Sequence, residues 1–163
     1  MNEPERLYFA YGSNMYTPRM QARVPSARAV GAGRVPGYRV AFRKLGGDGS
    51  SKCDLEVAPE DTAWGVLYRL PASEQPALDA AEGDGYFIDQ VTVATADAFI
   101  EAFTYRARRE WLGEMAPYSW YRNLVVAGAR LHELPVAYAT ALADMPAVED
   151  PDQERDAANR PGR

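Results

Sequence analysis

The spacing of hydrophobic residues changes from strand-like over most of the chain to helix-like near its end. Residues 7–11 form an apolar run that predicts a buried strand. Residues 62–70 carry apolar side chains at every second position, which also predicts a strand. Residues 86–94 and 99–106 predict two further strands. From Ser119 onward the apolar period becomes that of an amphipathic helix.

Turn and cap residues separate these segments. The Thr-Pro pair at positions 17–18 is typical of a helix start and predicts a short helix over residues 18–23. The Val-Pro-Gly sequence at positions 35–37 predicts a turn between strands at residues 27–33 and 38–43.

Three further segments can be interpreted in the same way. Residues 46–51 consist of glycine, serine and one aspartate, which predicts a mobile surface loop. Ser73 fits the N-cap of a helix that runs to Glu82. Near the end of the chain Pro135 interrupts the helical pattern, so we expect two helices, one on either side of it.

The composition shifts after Met145. Residues 147–163 contain no aromatic residue and cannot bury enough apolar area to offset the entropy of ordering them. We therefore predict a single domain over residues 1–146 and a disordered tail over residues 147–163. The order of elements lacks regular strand–helix alternation, which disfavours a doubly wound sheet. It favours an α+β domain, a small mixed β-barrel or curved sheet with peripheral helices.

The amino-acid composition also excludes several classes of binding partner and catalytic site. The 163 residues include 18 basic and 23 acidic side chains, a net charge of −5, and no dense basic block, so we expect no nucleic-acid partner. No apolar run reaches the roughly 18 residues of a membrane helix, and we expect a cytoplasmic protein with no membrane partner. With Cys53 and His132 as its single cysteine and histidine, the chain cannot form an intramolecular disulfide or a zinc site. We expect no metal and no cofactor, and proton chemistry carried by carboxylates or tyrosines.

Glu82 is the carboxylate best placed for such chemistry. It follows Leu78 by four positions, so the two side chains share a helix face that should point to the core. Burial and the dipole at a helix C-terminus both raise the pKa of a carboxyl group. A glutamate with a raised pKa is a good general base near neutral pH. The alternative is a solvated glutamate in the last helical turn, which is the commoner situation for a lone Glu.

The turn after the first predicted strand is a second candidate. Gly12, Ser13 and Asn14 place consecutive amide groups where they can form an anion-binding concavity for a carboxylate or amide ligand. The alternative is a plain strand–helix turn. Tyr8 and Tyr11 should lie on opposite faces of the strand, so that at most one of them faces any single cavity.

Three other positions stand out on the predicted elements. Tyr105 is expected to be a core tyrosine with a satisfied hydroxyl. Asp79, one position round the helix from the core-facing Leu78, is expected in solvent. Gly128 lies inside a helix, where glycine costs about 1 kcal/mol relative to alanine, and it therefore predicts a close helix contact.

Four segments of the chain form a recognisable series. Residues 8–15 are Tyr-Phe-Ala-Tyr-Gly-Ser-Asn-Met, and residues 64–68 are Trp-Gly-Val-Leu-Tyr. Positions 78–83 contain a Leu-Asp and a Glu-Gly pair, and residues 117–135 contain a Gly-Ala and a Leu-Pro pair. In this order they resemble the N-terminal signature, middle strand, catalytic segment and C-terminal helix pair of the γ-glutamylcyclotransferase family. The resemblance spans roughly residues 7–145.

The resemblance implies a small mixed β-barrel with peripheral helices. It also implies a cofactor-independent enzyme that converts a γ-glutamyl amide to 5-oxoproline and a free amine or amino acid. It assigns the role of general acid and base to Glu82. The residues matching those that hold the small-molecule γ-glutamyl substrate are Tyr8, Phe9, Ala10, Tyr11, Gly12, Ser13, Asn14 and Tyr105.

Two other interpretations stay open. The chain can be a noncatalytic module that binds a γ-glutamyl or amino-acid ligand on the same fold. It can also be a biosynthetic cyclotransferase that removes a γ-glutamyl protecting group from a larger amine. The sequence determines neither the leaving group nor the oligomeric state, for which a homodimer is one option.

Overall fold

The computed structural model describes residues 2–162 and contains a closed β-barrel. Its strands are β1 (Glu5–Ala10), β2 (Arg28–Leu45), β3 (Ser51–Pro71), β4 (Tyr86–Ala94) and β5 (Phe99–Ala107). They follow the order β1-β3-β2-β4-β5 around the barrel. β1 pairs in parallel with β5 through Tyr8 and Phe103, whereas the other neighbouring strands are antiparallel. The mixed barrel confirms the expected α+β class.

The helices lie around this barrel. They are α1 (Thr17–Arg23), α2 (Gln75–Glu82), α3 (Ser119–Leu131), α4 (Val136–Ala143) and α5 (Gln153–Asn159). The first four lie close to their predicted positions, but the predicted N-caps are wrong: Tyr16 caps α1, and Glu74 rather than Ser73 precedes α2, because Ser73 lies in a 3₁₀ turn over Ala72–Glu74. A 3₁₀ turn at Ser13–Met15 connects β1 to α1. Within residues 2–162, no helix has both the length and the apolar character needed to cross a membrane.

The turn predicted at positions 35–37 is wrong, because β2 continues through it. Pro36 pairs with Thr62 of β3, and the register shifts between Pro36 and Tyr38. Gly37 has a φ of 85°, in the left-handed region that suits glycine. A proline without an amide hydrogen and a glycine with a free backbone accommodate a bulge here, so the strand bends instead of reversing.

The segment at positions 46–51 is a tight connection between β2 and β3. Ser50 and Ser51 are fully buried, so the prediction of a surface loop is wrong for the end of this segment. The Asp48 carboxylate accepts a hydrogen bond from Lys52 Nζ at 2.7 Å, and the Asp48 carbonyl accepts one from the Tyr118 hydroxyl at 2.7 Å. The first bond ties the connection to β3, and the second ties it to Tyr118, which immediately precedes α3.

Helix α3 packs very close to the turn that follows β1. A Cβ atom at position 128 would lie 2.5 Å from the carbonyl carbon of Met15 and 2.5 Å from the amide nitrogen of Tyr16. Both distances are far shorter than a van der Waals contact, which is about 3.5–4.0 Å between carbon atoms. Only a glycine permits this approach, and the close helix contact predicted at Gly128 is confirmed.

The end of the chain docks on the domain, so the prediction of a disordered tail is wrong where α5 and the segment before it lie. Asp150 is buried and accepts hydrogen bonds from Trp120 Nε1 at 2.9 Å and from Arg155 at 2.6 Å. Arg155 holds the pKa of Asp150 well below its usual range. The low apolar content of this segment predicted disorder incorrectly, because polar contacts rather than apolar burial hold the segment against the domain. We propose that the domain extends through α5.

We expect Asp150→Ala to lower the melting temperature by several degrees, because Trp120 Nε1 and the Arg155 guanidinium lose their acceptor. Glu154→Ala removes an exposed carboxylate from the same segment and should change the melting temperature little. Thermal unfolding followed by circular dichroism measures both variants. Equal melting temperatures would show that this segment does not stabilise the domain.

Candidate active site

A small cavity of about 30 Å³ lies beside the turn that follows β1, and we call it the inner cavity. Phe9 and Ala10 do not line it, and both pack in the core. The other residues predicted for the site do line it, and they are Tyr8, Tyr11, Gly12, Ser13, Asn14, Glu82 and Tyr105. The structure therefore brings the carboxylate of α2 together with the turn after β1.

The last turn of α2 points Glu82 into this cavity. Leu78, four positions earlier on the same helix, is fully buried, and the Glu82 side chain is only 15% exposed. The helix ends immediately afterwards at Gly83, whose φ is 81°. The expected inward orientation of Glu82 follows from this spacing, and the solvated alternative does not apply.

Burial raises the pKa of Glu82, since the charged carboxylate loses hydration. The opposing influences are the positive charge of Arg23, 3.7 Å away, and a hydrogen bond from Asn14 at 2.8 Å. Desolvation is the largest of these effects, so the carboxyl group takes up a proton more readily than an exposed glutamate does. Such a group can accept and return a proton near neutral pH.

Asn14 organises the polar side of the inner cavity. Its Nδ2 donates to Glu82 Oε1 at 2.8 Å and to the Tyr8 hydroxyl at 3.1 Å. Its Oδ1 accepts from Arg23 at 3.1 Å. The amide therefore fixes the carboxylate, a phenol and a guanidinium at once, which the sequence did not indicate for this residue.

Tyr8 and Tyr11 both line the inner cavity, so the expectation that only one of them would is wrong. β1 ends at Ala10, and Tyr11 lies beyond it, where the alternation of strand side chains no longer applies. The Tyr11 hydroxyl donates a hydrogen bond to the carbonyl oxygen of Tyr105. This bond ties the end of β1 to β5.

Tyr105 borders the cavity instead of serving only as core. Its hydroxyl donates to the carboxylate of Asp79 on α2, so Asp79 is not the solvated side chain that was expected. Burial is the main cause of a strongly raised pKa for Tyr105. The phenol therefore stays protonated, and its oxygen keeps lone pairs for a ligand.

Three lining residues were not predicted for the site: Cys53, Tyr86 and Tyr121. The Cys53 amide donates to the Tyr121 hydroxyl at 3.0 Å, and the Tyr86 hydroxyl donates to the Cys53 carbonyl at 2.7 Å. They come from β3, β4 and α3, and no local motif links them. Burial raises the pKa of the Cys53 thiol to about 12, which makes it a poor nucleophile near neutral pH.

A second space of about 270 Å³ adjoins the inner cavity, and we call it the outer cavity. Ser13, Glu82, Tyr86 and Tyr121 line both. The Glu82 carboxylate thus lies at their junction and can reach a bond that passes from one cavity to the other. Among the described residues, no cluster of three His, Cys, Asp or Glu side chains could hold a metal ion.

Known proteins resemble this chain in both sequence and structure. The AIG2-like family matches residues 62–142. A γ-glutamylcyclotransferase of Homo sapiens is 32% identical over 150 residues, which cover 86% of this chain and 79% of the human protein. A γ-glutamyl cyclotransferase of Aspergillus fumigatus is 25% identical over 173 residues, covering 88% of this chain and 63% of the fungal protein.

The fold agrees with these sequence matches. A solved structure of a γ-glutamyl cyclotransferase superposes with a TM-score of 0.84 at 25% identity, covering 95% of this chain and 99% of that one. The identity to the human protein extends over most of both sequences. The chain therefore belongs to the γ-glutamylcyclotransferase family.

Proposed function

We propose that this protein is a γ-glutamylcyclotransferase, which cyclises the glutamyl half of a γ-glutamyl amide to 5-oxoproline and releases an amine or amino acid. One observation carries the proposal. Glu82 is a largely buried carboxylate with a raised pKa at the junction of the inner and outer cavities. That is where a base is needed if the glutamyl half lies in one cavity and the leaving group in the other.

The proposed reaction forms one C–N bond and breaks another. The α-amine of the substrate attacks its own γ-carbonyl carbon, which closes a five-membered ring through a tetrahedral intermediate. Glu82 accepts the proton that the attacking amine loses and then returns it to the leaving nitrogen as the second C–N bond breaks. The two transfers balance, so one carboxyl group serves both steps.

The inner cavity contributes by folding the substrate. Intramolecular attack is fast when the nucleophile is held against the carbonyl carbon, and the walls of the inner cavity, which include Tyr8, Tyr11 and Tyr105, can hold the glutamyl group in a folded conformer. We propose that the backbone of residues 8–13 holds the glutamyl carboxylate and that Tyr105 borders the bound group. Phe9 and Ala10 contribute only through the backbone, since their side chains face the core.

A noncatalytic γ-glutamyl-binding module is the alternative on this fold. Binding alone does not need a buried carboxylate, whose desolvation costs free energy. The position of Glu82 therefore favours the enzyme. We also propose that the reaction takes place in the cytoplasm, because the single thiol is free and buried and free thiols are typical of reducing compartments.

Release of 5-oxoproline from a panel of γ-glutamyl amides tests the proposed role of Glu82. Glu82→Gln can still accept the hydrogen bond from Asn14 but cannot take up the proton. Positioned acid–base catalysis is worth about 10²–10⁴-fold, so we expect turnover to fall by about that factor. Glu74→Gln is the control, because this carboxylate contacts Ser26 away from both cavities. Turnover of Glu82→Gln close to that of the unmodified protein would contradict the mechanism.

The pH dependence of kcat/KM should follow the raised pKa of Glu82. Below that pKa the carboxyl group is protonated and cannot accept a proton from the amine, so activity should fall as the pH drops. The midpoint should lie above 4.5, the ordinary value for a glutamate. This acidic limb should vanish from the residual activity of Glu82→Gln. A midpoint at or below the ordinary value would rule out a desolvated base.

The same raised pKa has a consequence for stability. The folded state binds the Glu82 proton more tightly than the unfolded chain does, so the ionised carboxylate costs free energy at neutral pH. Glu82→Gln should therefore have a higher melting temperature than the unmodified protein near pH 7. The difference should shrink below the ordinary glutamate pKa, where the carboxyl group is protonated in both states. Thermal melts at several pH values measure it, and a gain that persists undiminished at low pH would assign it to another cause.

A further inference from the structure

The outer cavity is positively charged. Two acidic side chains line it, Asp48 and Glu82. Four basic side chains line it as well: Arg19, Arg23, Lys44 and Lys52. The excess of two positive charges lies on the side of Glu82 away from the glutamyl group, where the proposed reaction places the leaving group.

Most of these basic side chains already form hydrogen bonds with other side chains of the protein. Three have side-chain hydrogen bonds, namely Arg19 with Ser13, Arg23 with Asn14 and Lys52 with Asp48. Lys44 differs from them. Within residues 2–162 its ammonium group has no side-chain hydrogen bond and no ion pair, although the residue is only 8% exposed.

Lys44 is nevertheless held firmly in place. Its Nζ lies 4.8 Å from the ring centroid of Tyr86 and 4.9 Å from that of Trp111, both within the range of cation–π attraction. The third wall is Gly85, where a Cβ atom would lie 2.5 Å from Lys44 Cε and 2.9 Å from Nζ. Two aromatic faces and a bare backbone therefore form a slot that orients the lysine.

Resting on the proposed cyclisation, we propose that Lys44 is a specificity-determining residue, whose ammonium group binds a carboxylate carried by the leaving amine in the outer cavity. Lys44 lines the same cavity as Glu82, and no carboxylate of residues 2–162 lies within ion-pair distance of its ammonium group, although a desolvated lysine ordinarily has such a partner. A carboxylate on the leaving group would supply that partner. Neutral amines would gain nothing from the slot, and cationic amines would be repelled.

The energetics favour such a pair. Much of the desolvation cost of Lys44 is already met by its packing in the folded protein, so the arriving carboxylate gains the attraction without that further penalty. Burial lowers the pKa of the Lys44 ammonium, and a bound carboxylate would raise it again. Hydrogen bonds to charged groups are worth about 1.5–3 kcal/mol, which corresponds to about 10- to 100-fold in affinity.

Two matched substrates test the proposal. γ-Glutamyl-alanine and γ-glutamyl-alaninamide differ only in the carboxylate of the leaving group. We expect kcat/KM for 5-oxoproline release to be about 10- to 100-fold higher for the acid, and the ratio to fall to about one in Lys44→Met, which removes the ammonium group and keeps the unbranched stem of the side chain. Gly85→Ala displaces the ammonium group without removing its charge and should also lower the ratio. Arg34→Met, which removes an exposed cation stacked on Trp64, should leave the ratio unchanged.

A ratio near one in the unmodified protein overturns the proposal. So does an equal loss for both substrates in Lys44→Met, because that would mean that the lysine acts on Glu82 and not on the leaving group.

Binding separates this proposal from the cyclisation itself. Calorimetric titration of both compounds into Glu82→Gln, with and without Lys44→Met, needs no turnover. Tighter binding of the acid that depends on Lys44 supports the proposal even if no 5-oxoproline is ever released, in which case only the cyclisation fails. Equal affinity for the two compounds, or no binding of either, overturns it.

Discussion

The close approach of α3 to the turn after β1 is the constraint on which the site depends. Because position 128 has no side chain, the helix backbone rests directly on the backbone of Met15 and Tyr16. The Ser13–Met15 turn is thereby fixed, and with it the amide of Asn14. That amide holds the Glu82 carboxylate. The backbone contact that Gly128 permits therefore helps to position the proposed base, Glu82.

The pKa of Glu82 reflects two opposing influences, one from the inner cavity and one from the outer cavity. The inner side is aromatic and removes water from the carboxylate, whereas Arg23, Arg19 and Lys44 on the outer side favour its charge. The first influence is larger, so the pKa is raised. Because these cations lie on the proposed leaving-group side, the same positive charges affect the pKa of the base and, as we propose, the choice of leaving group.

Local patterns in the sequence predicted much of this arrangement. Alternating apolar residues gave β4 and β5 with their observed starting residues, and the four-residue spacing of Leu78 and Glu82 predicted the direction of the carboxylate. What the sequence could not predict depends on contacts between distant segments. Cys53 lines the cavity because tyrosines from two other elements hold its backbone.

The remaining errors have physical causes of the same kind. The Val-Pro-Gly sequence at positions 35–37 has turn residues, but pairing with β3 makes it a bulge. The end of the chain has little apolar surface, yet Asp150 docks it through polar bonds to α3 and α5. Local residue preferences limit the conformations that a segment can adopt. Contacts with segments distant in the sequence determine which of those conformations the folded protein has.

The parallel pairing of the first strand with the last also governs when this site can come into existence. Tyr11 and Tyr105 meet across the seam although they are 94 positions apart, so β1 has no partner on that side until β5 has been synthesised. Folds dominated by such distant pairings form slowly. During synthesis the future cavity wall is an unpaired strand edge rich in tyrosine and phenylalanine, and such edges are prone to aggregate. The pairing of β1 with β5 closes the barrel beside the cavity. Until β5 has been synthesised, the same edge of β1 exposes its backbone and aromatic side chains to other chains.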